Sequence, residues 1–290
     1  MINLRQLQVF KTIAETSGFT AASAQLNMTT SAVSINLKDI EQQLGTRLVM
    51  RGRGRKHRSH KVELTVAGMW LYERAQKMLS LSDSTERYFE QLQSNRRETL
   101  NIGASQTVGN YWLPAYINVL KQQRSALKIN VYIGNTDEIL SRVESFQDEI
   151  GLVEGPSSRG ELLTKPFKED SMTLVAPPDD NGKALEVQPW LIREKGSATR
   201  RLTEKLWAKL GIKPANVIEL NTNESIIHSV ASGIGVAYVP SITTPLMLEA
   251  GLVRALPTEG THHRTLYYVT HRDLSFSMAW IERVIAEKAL

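Results

Sequence analysis

Residues 18–51 read GFTAASAQLNMTTSAVSINLKDIEQQLGTRLVMR. Two helical patterns lie in this stretch, joined by a three-residue turn, and arginines follow at once. Thr20 is the expected N-cap of the first helix, which ends near Asn27, and Met28, Thr29 and Thr30 make the turn. Ser31 is expected to cap the next helix, which runs to Leu44 and stops at Gly45. Along it Val33, Leu37, Ile40 and Leu44 recur at steps of four, three and four, the spacing of a buried stripe. Ser34, Ile35, Asn36, Lys38 and Asp39 are left to the other faces. An earlier helix, Leu4 to Thr16, carries Leu7, Phe10 and either Ile13 or Ala14 on one side.

Working outward, residues 47–61 hold seven Lys/Arg, two His and no acid. Val62 to Thr65 alternates like a returning strand, so the segment is expected to form a hairpin with a basic tip. The wider charge distribution agrees. Residues 1–97 carry fifteen Lys/Arg against eight Asp/Glu, a net of +7, and the rest carry twenty against twenty-two, a net of −2. A basic front third on a near-neutral body is the pattern of a nucleic-acid-binding module joined to something else. In a helix-turn-helix the second helix enters the major groove with its N-terminal residues on base edges. Thr30, Ser31, Ser34, Ile35, Asn36 and Lys38 are the candidates here. Arg51, Arg53 and Arg55 would hold phosphates or enter a minor groove.

From Thr65 a helical stretch runs to about Ser94. Leu71, Ala75, Met78, Ser82, Thr85, Phe89 and Leu92 follow alternating steps of four and three, a heptad seam. The seam either pairs two subunits, which is the expectation, or packs the helix on its own domain. From Thr99 the grammar becomes alternating strands and helices, which argues for α/β with largely parallel sheets in two small lobes. The domains therefore read as 1–65, 66–97 and 98–290. The last divides into a first lobe of about 98–165 plus 266–290 and a second of about 166–265.

Three segments combine a strand end with a polar helix start: Ser105-Gln106-Thr107, Gly196 to Thr199, and Asn221 to Asn223. Helix N-termini carry unpaired N–H groups and a partial positive charge, so several facing one cleft would suit a small anion. Each alone reads as ordinary capping. Arg193 and Arg200 are candidate counter-charges. Glu154, at a strand end, either meets a ligand hydroxyl or proton or ties down the Gly155-Pro156 turn. Cysteine is absent, and the six His show no metal-ligand spacing with carboxylates. No phosphate-cradling loop and no nucleophile elbow occur. No metal, cofactor or catalytic residue is expected. No apolar run approaches the roughly 18–20 residues that span a membrane. The N-terminus has no signal-peptide core, so a cytoplasmic location is expected.

The segments LRQLQVF (4–10), SAVS (31–34), IEQQLG (40–45) and LTVAG (64–68), with Ala22, Ala24 and Arg51, resemble the winged helix-turn-helix of LysR-type transcriptional regulators. The resemblance continues through the linker helix into a two-lobed effector domain like that of periplasmic binding proteins. GASQTVGNY (103–111), IGLVEGP (150–156) and REKGSATR (193–200) are similar to the CbbR/YeiE-like subgroup, which governs carbon-fixation and sulfur-oxyanion genes. The chain departs from the family at Thr30, at Val49-Met50 and in a longer basic hairpin, so no operator sequence carries over.

The resemblance implies double-stranded operator DNA as a partner and a dimer of dimers. It also implies a small anionic effector between the lobes: a sulfur oxyanion, a phosphorylated metabolite or a small carboxylate. The effector residues expected are Ser105, Gln106, Thr107, Glu154, Arg193, Ser197 and Thr199. RNA polymerase is a further candidate partner. The competing reading is a cytoplasmic α/β solute-binding protein or enzyme with a basic, nucleic-acid-contacting extension.

Overall fold

The computed structural model describes residues 1–50, 62–93, 99–180, 182, 184–258, 262–274 and 279–288. The chain divides into two compact units, Met1–Arg96 and Arg97–Leu290.

The first unit opens with α1 (Leu4–Thr16). Asn3 caps it by accepting from the Gln6 amide while the Gln6 side chain accepts from the Asn3 amide, a reciprocal box that satisfies two orphan donors. α2 (Phe19–Leu26) starts after Gly18. Thr20 is thus inside the helix rather than capping it, and its carbonyl accepts from the Ser23 hydroxyl. α3 (Thr30–Leu44) is capped by Thr29, whose hydroxyl accepts from the Ala32 amide at 3.2 Å, and not by Ser31. Two hydroxyl residues stand within reach of this helix start. Thr29 holds the extended backbone a cap requires, while Ser31 is already helical.

Leu7, Val9, Phe10, Ile13, Ala22, Val33, Leu37 and Ile40 close into one core. Leu44 does not join it: it is 41% exposed, because it is the last helical residue and Gly45 turns the chain away at φ +65°. β1 (Val49–Met50) and β2 (Glu63–Leu64) pair antiparallel and form the base of the expected hairpin. The Glu41 carboxylate fastens that base by accepting from the Leu48 amide at 2.7 Å. Arg51, Arg53 and Arg55 lie outside the described residues.

α4 (Val66–Gln93) crosses the hairpin base at Gly68, where a Cβ would collide with the Leu48 carbonyl oxygen. The heptad seam divides along this helix. Leu71 and Ala75, with Leu79, are buried in the unit's own core, whereas Met78 and Phe89 are exposed. The side chain of Leu92 lies outside the described residues. Beside Met78, Leu81 and Thr85 an open groove of about 1000 Å³ runs against Ile2, Leu4 and Leu7.

The second unit begins with β3 (Thr99–Ser105), a π-helical turn at Val108–Trp112, and α5 (Leu113–Gln123). β4 (Lys128–Gly134), α6 (Thr136–Glu144) and β5 (Ile150–Glu154) follow, then the long β6 (Leu162–Ala176). Next come β7 (Trp190–Arg193), α7 (Ala198–Leu210), β8 (Val217–Leu220), α8 (Asn223–Ala231) and β9 (Ala237–Pro240). α9 (Pro245–Glu249), β10 (Arg254–Leu256), β11 (His262–His271) and α10 (Ala279–Lys288) complete it.

The main sheet has the order β10-β6-β11-β5-β3-β4, with β9 also on β6, while β7 and β8 form a separate parallel pair. Only β4, β3 and β5 are mutually parallel in the main sheet; β11, β6, β9 and β10 join antiparallel. The expected largely parallel arrangement is therefore a mixed sheet. β6 carries the chain out of the first lobe and β11 returns it, so the two strands lie side by side in opposite directions. Phe167 and Leu266 sit in the first lobe's core, with Leu100, Ile102 and Leu152. Met172 and Leu174 sit in the second's, around Trp190 and Leu206. The crossing falls where Lys168–Ser171 faces His263–Leu266.

Candidate functional site

In the first unit the exposed side of α3 presents Thr30, Ser31, Ile35 and Lys38, with Ser34 half-buried among them. At about 100° per residue these five span about 140° of the helix, next to the arc that buries Val33, Leu37 and Ile40. Ser31 Oγ is 3.0 Å from Thr29 Oγ1, and Thr30 Oγ1 is 3.3 Å from Ser23 Oγ, so the hydroxyls at the helix start are held in place by neighbours. Ile35 is 57% exposed, an apolar group with no folding reason to face outward, and such a group can meet a thymine methyl. Asn36 stands apart: it lies about 100° beyond Ile35 on the helix, and its amide donates back to the Ala32 carbonyl at 2.9 Å.

In the second unit, the carboxyl ends of β3, β5 and β7 and the N-termini of α7 and α8 open onto one cleft between the lobes. Crevices outside strand carboxyl ends are where open α/β sheets take ligands. Five of the sequence-selected residues, Ser105, Thr107, Glu154, Ser197 and Thr199, are buried there. Gln106 is half-buried and donates to the Asn221 carbonyl at 2.7 Å across the cleft. Asn223 bridges the lobes too, donating to Thr107 Oγ1 at 3.1 Å. Further along the same flank, Asn110 and Tyr111 donate to the Glu224 carboxylate at 3.0 and 3.4 Å. On the other flank the Asp137 amide donates to the Gly196 carbonyl at 3.2 Å. The lobes are thus clasped on both sides of the site.

Glu154 is the centre of the polar floor, and it does not tie down the following turn. Thr136 Oγ1 donates to Glu154 Oε2 at 3.1 Å, and Arg264 Nη1 lies 3.8 Å from Glu154 Oε1. Burial by itself pushes this carboxyl up. The Arg264 charge and the hydroxyls of Ser105 and Thr107 outweigh it and hold the group below the ordinary carboxylate range. Asp170 takes two bonds from Arg264, at 2.6 and 2.9 Å, so the floor holds two carboxylates around one guanidinium. Arg264 Nη1 is also 3.4 Å from Thr199 Oγ1, which puts the α7 N-terminus and the Glu154 carboxylate in one small space.

Two donor sets remain unspent. Ser197, the N-cap of α7, makes no capping bond through its side chain, so the first amides of this 13-residue helix keep their open N–H groups. Ser105 Oγ is buried, at 2% exposure for the residue, beside the Glu154 carboxylate but outside hydrogen-bond geometry with any partner.

Arg193 does not serve as the free counter-charge the sequence suggests. It is buried, and its guanidinium is committed to Glu194 at 2.7 and 2.8 Å and to Asn223 Oδ1 at 3.1 Å. Its effect reaches the site indirectly, through Asn223 to Thr107. Arg200 is likewise taken, by Glu204, Glu219 and the Arg193 carbonyl.

Sequence reasoning missed Thr136, Asp170 and Arg264. Thr136 follows β4 and opens α6 after an Asn135 cap, the same strand-to-polar-helix signal that marks Ser105, and it could have been found that way. Nothing local marks Asp170 or Arg264 as partners, since they are 94 residues apart. Among the described residues no cluster of three or more His, Cys, Asp or Glu is placed to hold a metal, and no helix is long and apolar enough to cross a membrane.

Comparison with known proteins matches residues 4–69 to the bacterial regulatory helix-turn-helix proteins of the lysR family, and residues 93–289 to the LysR substrate binding domain. The chain is 32% identical to the HTH-type transcriptional regulator YeiE of Escherichia coli over 96% of its own length and 94% of that protein's. It is 25% identical to the RuBisCO operon transcriptional regulator of Allochromatium vinosum, over 93% of this chain and 90% of that one. The fold matches that of full-length CbnR complexed with its target DNA, with a TM-score of 0.68, 15% identity and complete coverage of both chains.

Proposed function

The chain belongs to the LysR family of bacterial transcriptional regulators, and we propose that it acts as a DNA switch controlled by a small anion held between the lobes of its second unit. Membership of a regulator family sets aside the solute-binding and enzymatic readings. The observation that carries the effector half is the convergence in one cleft of an uncapped helix N-terminus and an unpartnered buried hydroxyl, Ser105. Ser105, Gln106, Thr107, Glu154, Ser197 and Thr199 line the effector site, with Arg193 behind them as a positioning residue.

In the DNA half, Thr30, Ser31, Ser34, Ile35 and Lys38 meet base edges and nearby phosphates, with Asn36 on the flank. Arg51, Arg53 and Arg55 of the hairpin hold phosphates. The exposed part of the α4 seam, Met78 to Phe89, joins two subunits, and two such pairs make the working tetramer. An effector that favours one arrangement of subunits over another shifts the spacing or bend imposed on the operator. RNA polymerase is the partner through which that shift would be read, and the cytoplasm is where it would take place.

The test is a gel-shift with DNA from upstream of the gene. Ser34→Ala combined with Lys38→Ala should abolish specific binding while thermal melting stays unchanged, since good base contacts are worth about 1–3 kcal/mol each. Affinity retained within about twofold would remove α3 from the groove.

A further inference from the structure

We propose that the cleft selects an oxyanion that brings its own proton, a monohydrogen anion such as hydrogen phosphate or hydrogen sulfite, which donates that proton's hydrogen bond to Glu154. The inference rests on the reading of the cleft as the effector site and narrows what can occupy it. On one side of the space the first amides of α7 and the Ser197 and Thr199 hydroxyls can all donate, and the buried Ser105 hydroxyl, beside Glu154, can turn to donate as well. These suit ionised oxygens.

On the other side stands Glu154, which has no proton to give. The Thr136 hydroxyl already donates to one of its oxygens, and Arg264 flanks the other. The groups of charge or titration around Glu154 are Arg264 from β11, Asp170 from β6, and Tyr238 from β9 beside Arg264. Beyond Asn223 lies the Arg193–Glu194 pair, which is internally matched. Two carboxylates against one guanidinium leave the floor with a net negative charge. A fully ionised anion would set bare lone pairs against a buried carboxylate. The same anion carrying one O–H turns that repulsion into a charge-assisted hydrogen bond. A site that demands a donor rejects the isosteric ligand lacking it, because its own buried acceptor is then left unpaired.

Phosphate and sulfate provide the discriminating pair: both are compact tetrahedral anions, but only phosphate keeps a proton near neutral pH. In calorimetric titrations of the full-length protein at neutral pH and matched ionic strength, inorganic phosphate should bind about tenfold or more tighter than sulfate. Affinity for sulfite should fall as pH rises through neutrality, where hydrogen sulfite loses its proton. Glu154→Gln offers an amide donor in place of the carboxylate, so it should admit sulfate and bring the two anions within about twofold of each other. The wild-type selectivity carries the test if that variant does not fold.

Thr199→Ala should weaken both anions alike, which reads the site rather than the selection. Equal binding of phosphate and sulfate to the wild type, both weakened by Thr199→Ala, would keep the effector site and overturn the proton rule. A failure of all three anions to bind would overturn the proton rule, and only the further failure of short carboxylates and phosphorylated acids would overturn the effector site.

Discussion

Replacing Arg264 with Met would remove the cation that faces Asp170 and Glu154 while keeping most of the side-chain volume. The residue is 6% exposed, and its two carboxylate partners are buried as well. Asp170 would lose bonds at 2.6 and 2.9 Å, and Glu154 would lose a charge at 3.8 Å. Deleting one member of a buried ion pair leaves the rest uncompensated and costs about 3–5 kcal/mol. In a unit of this size each kcal/mol lowers Tm by about 2–4 °C, so the loss should be about 6–20 °C.

The deficit should depend on pH in a definite direction. In the parent, Glu154 sits below the ordinary carboxylate range, so its charge stabilises the fold above that range. This contribution is lost as pH falls through the lowered value. Without Arg264 the opposing effect of burial dominates and raises the group. Its contribution is then largest below the ordinary range, where it is protonated, and is lost as pH rises. The gap between parent and variant should therefore narrow on acidification. Scanning calorimetry of the full chain measures this, and the transition of the N-terminal unit should be unmoved. A variant melting within about 2 °C of the parent at neutral pH would refute the account, since that is less than about 1 kcal/mol.

Replacing Arg51, Arg53 and Arg55 together with Ala should weaken specific and non-specific DNA alike. It should flatten the slope of log affinity against log salt by about 0.9 for each phosphate no longer neutralised, and an unchanged slope would show the hairpin tip to be idle. Phe89→Glu places a charge on the exposed run of α4 and should dissociate the subunit pair and abolish cooperative binding to paired half-sites. Native mass by light scattering together with retained cooperativity would assign that run to its own subunit. Gly68→Ala drives a methyl into the Leu48 carbonyl oxygen, so α4 and the hairpin base must separate. The N-terminal unit should lose about 1–3 kcal/mol or more by denaturant melting, and a neutral result would show that this crossing is loose.

Much of the DNA-binding unit is legible because its signals are short-range. The limits of α1 follow from Asn3 and Gln6 at one end and the helical period between. The buried stripe of α3 follows from Val33, Leu37 and Ile40. The caps expected at Thr20 and Ser31 both fall two positions late: α2 starts from Gly18, which carries no hydroxyl to mark it, and at α3 Thr29, Thr30 and Ser31 cluster so that only the backbone angles choose among them. Leu44 keeps the period but lies beyond the core that would have covered it. In the second unit the apolar strand at Trp190–Arg193 escapes the sequence pattern, being too brief to show alternation.

The sequence by itself determined a helix-turn-helix with a basic hairpin, a long helix, and two α/β lobes with polar helix starts at Ser105–Thr107, Ser197–Thr199 and Asn221–Asn223. Periodicity, capping and composition act within a few residues, so one chain suffices to read them. Only the tertiary structure decided which charges the cleft holds. Arg193, beside its neighbour Glu194, is spent within its own lobe. Arg264 reaches Asp170 across 94 residues, because β6 and β11 run antiparallel between the lobes. Whether a buried charge is free or matched depends on what stands within a few ångströms of it, and that follows from strand pairing, to which the local pattern is blind.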